Sequence, residues 1–124
     1  MDNLGSPDII LVFGGTNDSW ANVPVGEYVY QSPTTEQLYS FRPAMAYMLD
    51  GLSRLYPDAE VWFILNTGLK PEINESVAEI CRHYNVPVIR LTDIDKDWGH
   101  PTAKGMKAIA SQVESALVKQ STAL

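Results

Sequence analysis

The sequence predicts an α/β fold built on a parallel β-sheet, formed as a single domain over residues 1–124. Two observations predict it. Three short, continuous apolar runs read as strands buried on both faces, and amphipathic helical stripes separate them. Alternation of strand and helix implies parallel pairing through crossover helices.

The first strand is Asp8-Ile9-Ile10-Leu11-Val12-Phe13, rich in β-branched residues and ended by Gly14-Gly15. The second is Val61-Trp62-Phe63-Ile64-Leu65 and the third is Val86-Pro87-Val88-Ile89-Arg90-Leu91. Pro87 has no N–H to donate, so it belongs at the start of its strand or on a free edge. Between the first two strands, Leu38, Phe41, Met45, Met48, Leu49, Leu52 and Leu55 recur at helical spacing. Pro43 fits the first turn of that helix, with a short separate turn before it. Ile73, Val77, Ile80, Cys81 and Tyr84 form a second stripe, and Met106, Ile109, Ala110, Val113 and Leu117 a third. Pro101 is expected at the start of this last helix, and Gln120–Leu124 is expected to fray. The longest irregular stretch, Asn17 to Pro33, carries Trp20, Tyr28 and Tyr30. It follows the C-terminal end of the first strand, where open α/β sheets place their ligands.

Composition bounds the function without naming it. Apolar residues make up 45% and charged residues 19% of the 124, ordinary for a globular domain. The net charge of −6 argues against a nucleic-acid partner and gives no sign of attraction to an anionic membrane surface. No apolar run reaches the ~18 residues of a membrane span. Met1-Asp2-Asn3-Leu4-Gly5-Ser6 has neither the basic nor the apolar region of a signal peptide, and the compartment stays undetermined. The lone Cys81 excludes an internal disulfide and lies on an apolar helical stripe, as a buried structural thiol would. His83, just off that stripe, reads as a surface or boundary residue.

Two constellations could carry chemistry. In Gly14-Gly15-Thr16-Asn17-Asp18, the glycines allow a sharp turn and close ligand approach, and Asn17 can aim its NH2 at a developing oxyanion. On local spacing alone the commoner reading is a Gly-rich turn capped by Asn and Asp. In Asp97-Trp98-Gly99-His100-Pro101, a carboxylate three residues before an imidazole can fold back to hold one ring N–H and fix the tautomer. The alternative is an acidic loop with an exposed histidine. Asp93, Asp95 and Asp97 alternate, but the spacing does not match a calcium loop. Asn66-Thr67-Gly68 ends the second strand at the same edge and could touch substrate or simply cap the strand.

Taken together, Gly15-Thr16-Asn17-Asp18 resembles the Gly-x-Asn-Asp block of the SGNH/GDSL hydrolases. Asp97-Trp98-Gly99-His100-Pro101, followed by Gly105 and Ile109-Ala110, resembles their Asp-x-x-His-Pro block. The resemblance runs from about Asp8 to Val118. It implies a three-layer flavodoxin-like fold, incomplete at its N-terminal side, and hydrolysis of acyl or acetyl esters on sugars, lipids or small molecules. Carried over by position, Asn17 is an oxyanion donor, His100 the general base and acid, and Asp97 its orienter. Gly15 and Trp98 would border the substrate. No metal or organic cofactor is implied.

The family's Gly-Asp-Ser nucleophile block occurs nowhere in the 124 residues. Ser6 precedes the first strand and so belongs at the wrong end of the sheet, and Ser19 is not on a nucleophile turn. The chain alone is therefore expected to be inactive, as part of an ester hydrolase. Rival readings are a catalytically dead module that binds an acylated ligand and a non-functional enzyme fragment. In the family sheet the Gly-Asp-Ser strand lies beside the strand leading to the Asn block. The edge of Ile9–Phe13 is therefore expected to be bare and to drive self-association, most simply as a two-fold dimer.

Overall fold

A computed structural model describes residues 8–15, 21, 23–98 and 100–122. Three strands, β1 (Ile9–Gly14), β2 (Glu60–Leu65) and β3 (Val88–Arg90), form a parallel sheet in the order β1-β2-β3. The register sets Ile10 beside Val61 and Val12 beside Phe63, then Phe63 beside Val88 and Ile64 beside Ile89. The third strand is shorter than its apolar run. Pro87 cannot donate to the ladder, yet its carbonyl still accepts from Phe63 N at 2.9 Å, and Leu91 N donates to the Leu65 carbonyl at 3.0 Å.

The helices are α1 (Phe41–Leu55), α2 (Pro71–His83) and α3 (Ala103–Thr122). A single 3-10 turn, Gln37–Tyr39, precedes α1, and Pro43 sits in the helix's first turn as the sequence suggests. Thr34 and Gln37 cap that turn reciprocally, with the Thr34 N–H on Gln37 Oε1 at 2.8 Å and the Gln37 N–H on Thr34 Oγ1 at 3.1 Å. The first N–H groups of α1 then donate to the carbonyls of Pro24 and Val25 at 2.9 and 2.8 Å. A chain segment, rather than a capping side chain, satisfies that helix end.

Strand β2 shows why three layers form. Its side chains alternate, and both faces are buried. Phe63 and Leu65 join a core with Phe41, Met45, Leu49, Ile73, Val77 and Ile80 from α1 and α2. Trp62 and Ile64 join a second core with Ile89, Ile109 and Val113, under α3. This is the α/β fold the sequence predicts.

Three expectations about α3 and its approach need correcting. Pro101 is not in the first turn of α3, which begins at Ala103. It lies instead in a small antiparallel hairpin of β4 (Lys96–Asp97) and β5 (His100–Pro101). The helix also runs on through Thr122, past the expected start of fraying at Gln120, and residues 123 and 124 lie outside the described residues. Only part of its predicted stripe is buried: Ile109 and Val113 point inward while Met106 is exposed. Leu55, at the end of the first stripe, is exposed too, because α1 has by then passed its core.

Candidate active site

Parallel strands put all their C-terminal ends on one edge. There β1 ends in Gly14 and the buried Gly15, which has φ +93°. A side chain at Gly15 would be strained by this backbone and would press on Ile73 Cγ2 at 3.3 Å and Leu69 Cδ1 at 3.6 Å. Asn17 falls outside the described residues, as do Trp20 and Gly99.

After β2, Asn66 is buried and its Oδ1 accepts the N–H of Thr67 at 2.8 Å. After β3, the chain reaches the hairpin that carries Asp97 and His100. The two are directly paired across it, so their side chains leave the same face. The turn begins at Trp98, which has φ +53° and is 88% exposed. A tryptophan in the left-handed region is uncommon. Asp97 and His100 are themselves exposed. The hairpin therefore presents an acid, an imidazole and an aromatic ring together at the surface.

Two groups of contacts hold the hairpin. Lys96 Nζ donates to the Thr67 carbonyl at 2.7 Å, tying β4 to the end of β2. Burial in this position lowers the Lys96 pKa from its ordinary value. At the hairpin's other end, the Asp95 carbonyl accepts the Thr102 N–H at 3.0 Å, and Thr102 Oγ1 donates to Asp95 Oδ2 at 2.5 Å. The same hydroxyl oxygen accepts the Gly105 N–H at 3.1 Å, making Thr102 the N-cap of α3. Gly105 packs so tightly on the Asp95 carbonyl that a Cβ would collide with that oxygen.

Lys96 and Thr102 are not marked by the sequence reading, and Asp95 is marked there only as one of three alternating aspartates. A threonine just ahead of the Ile109 stripe is an N-cap signal and could have located Thr102. Nothing local marks Lys96, whose acceptor is 29 residues away. Of the aromatic residues in the irregular stretch, Tyr30 lies away from this edge and Tyr28 sits beside the first turn of α1. Tyr30 stacks on His83, at the C-terminal end of α2, with ring centroids 3.7 Å apart, and Tyr28 lies under the Arg42 guanidinium at 4.3 Å. The described part of the irregular stretch passes from the first turn of α1, at Pro24 and Val25, to the C-terminal end of α2, at Tyr30.

Residues 1–117 match the family described as GDSL-like lipase/acylhydrolase. The chain belongs to that family. Two solved structures are similar to it over nearly its full length. A GDSL-like lipase from Bacteroides uniformis is 54% identical, with a TM-score of 0.89 over 95% of this chain. A second, from Bacteroides ovatus, is 55% identical, with a TM-score of 0.88 over 96%. The match spans only 55% and 57% of those two chains, little more than half their length. No curated protein matches. GDSL-like lipases have the flavodoxin-like fold, and the two-faced parallel sheet of this chain is part of that architecture.

Proposed function

We propose that the chain supplies the oxyanion and proton-transfer side of an ester hydrolase site. The observation that carries this reading is the pairing of Asp97 opposite His100 at the C-terminal edge of a parallel sheet. A serine supplied from outside these 124 residues attacks the ester carbonyl. His100 accepts the serine proton as the C–O bond forms, and Asp97 stabilises the resulting imidazolium. The Asn17 amide donates to the oxyanion of the tetrahedral intermediate, a contact worth roughly 3 kcal/mol of barrier in comparable sites. Collapse expels the alcohol, which takes the proton from His100. Water, deprotonated by the same imidazole, then cleaves the acyl-serine to free acid and serine. Gly15, at φ +93°, lets the chain turn sharply where the strand ends beside the substrate, and Trp98 offers an exposed ring to the acyl or alcohol group. The substrate class is an acyl or acetyl ester of a sugar, lipid or small molecule, and no step calls for a metal or organic cofactor.

A chimera tests this. Residues 8–118 replace the matched part of the Bacteroides uniformis relative, and p-nitrophenyl acetate reports turnover. The expected result is an active chimera that loses roughly 1000-fold or more in kcat on His100→Ala. A folded but inactive chimera would overturn the proposal. The 124-residue chain alone is expected to show no turnover above its His100→Ala variant. Labelling of one of its own serines by a phosphonate would show that the nucleophile lies within it.

A further inference from the structure

Helix α1 ends at Leu55, just before β2 begins at Glu60, and α2 ends at His83, just before β3 begins at Val88. Both helices therefore finish toward the edge where the strands start, opposite the edge that carries Asp97 and His100. On that side, Tyr47, Asp50 and Arg54 of α1 and Tyr30, Gln31 and Ser32 of the irregular segment line a pocket of about 380 Å³. Its size falls within the roughly 300–1,000 Å³ of small-ligand sites.

One wall of this pocket is held from behind. The Tyr30 ring stacks on His83 with centroids 3.7 Å apart and 8° between the planes, and it meets Tyr84 edge-on at 6.0 Å. The Tyr30 hydroxyl is buried with no hydrogen-bond partner among the described residues, so a residue of the wall carries an unmet donor. Burial, the first cause of its raised pKa, keeps that hydroxyl protonated. Ser32 has φ +45°, a left-handed conformation uncommon outside glycine, and such residues cluster at ligand sites. On α1, Tyr47 is 59% exposed, and the Arg54 guanidinium pairs with the Asp50 carboxylate at 2.8 Å. The two charges offset each other, so an ion of either sign meets repulsion as well as attraction there.

From this arrangement we infer that the pocket binds a neutral saccharide, at a site separate from the hydrolytic one. A pyranose matches the lining group by group. Its hydroxyls donate to the Asp50 carboxylate and accept from the Arg54 guanidinium and the Gln31 amide. Its C–H face lies on the Tyr47 ring, whose π-face is negative. The inference goes beyond the esterase reading and does not rest on it, since the two sites share no residue.

Amide NMR of the full 124-residue chain tests this, with xylotetraose, cellotetraose and mannotetraose at millimolar concentration as neutral probes and trigalacturonate as the acidic one. The expected result is that a neutral probe shifts the amides of Gln31, Ser32, Tyr47, Asp50 and Arg54 while residues 96–101 stay still. Its affinity should not change with salt, because no net charge is involved. Tyr47→Ala and Asp50→Asn are each expected to weaken binding at least roughly tenfold. Neither side chain belongs to the buried core, so both variants should keep their fold, which circular dichroism would check. The absence of shifts with every neutral probe overturns the inference. So does binding that only trigalacturonate shows, that salt removes, that moves the hairpin alone, or that survives either substitution. Turnover is not read in this experiment, so an inactive chimera would sink the esterase reading and leave the saccharide site standing.

Discussion

Lys96 Nζ donates to the Thr67 carbonyl across 2.7 Å, joining the hairpin that carries Asp97 and His100 to the loop that ends β2. The residues flanking His100 in sequence do not make this link. It makes the position of the hairpin depend on the sheet.

Lys96→Met is therefore expected to loosen the hairpin while leaving the sheet intact. A hydrogen bond from a charged group contributes about 1.5–3 kcal/mol when buried, and partial exposure here puts the loss near 1 kcal/mol. Hydrogen exchange would show faster exchange at residues 96–102 with β2 unchanged. In the active chimera, Lys96→Met should lower kcat more than it raises KM.

Gly105→Ala is expected to destabilise the chain by about 1–3 kcal/mol, although alanine is the better helix former by about 1 kcal/mol. The added Cβ meets the Asp95 carbonyl, a backbone atom that cannot swing away. A denaturant midpoint no lower than that of the unsubstituted chain would contradict this.

Thr102→Val removes the hydroxyl that caps α3 and holds Asp95 while keeping the side-chain shape. The expected cost is about 1 kcal/mol, with Thr102→Ser close to neutral. Thermal unfolding of the two variants side by side would measure it.

Gly15→Ala is expected to cost about 1–2 kcal/mol, since φ +93° is strained for any side chain and the new methyl would press on Ile73. Equilibrium unfolding in urea checks this, and in the chimera the strain should also reduce turnover.

Cys81 is 1% exposed, and burial pushes its thiol pKa from 9.0 up to about 12. A folded pKa above the unfolded one contributes stability that is complete below pH 9. That contribution falls as pH rises toward about 12, because the unfolded thiol ionises first. Cys81→Ala should therefore flatten the first part of the alkaline limb of stability. The native thiol should also react with maleimide far more slowly than the unfolded one.

The strands and the faces of the helices were readable from the sequence because burial on two faces leaves a continuous apolar run, and burial on one leaves a helical stripe. Val61–Leu65 and the Ile73–Cys81 stripe reappear almost residue for residue. The nearness of Asp97 and His100 was legible for a different reason: three residues apart, they fall within one hairpin, whose backbone sets them opposite each other. Other features were decided only by the fold. The hairpin register, the Lys96 link to Thr67 and the closeness of Gly105 to Asp95 join elements whose relative placement no local pattern encodes. The same holds for Met48 and Leu117. Their apolar character assigns them to an inward face, but hydrophobic attraction has no direction. Only the tertiary structure shows that, among the described residues, these side chains border grooves beside β1.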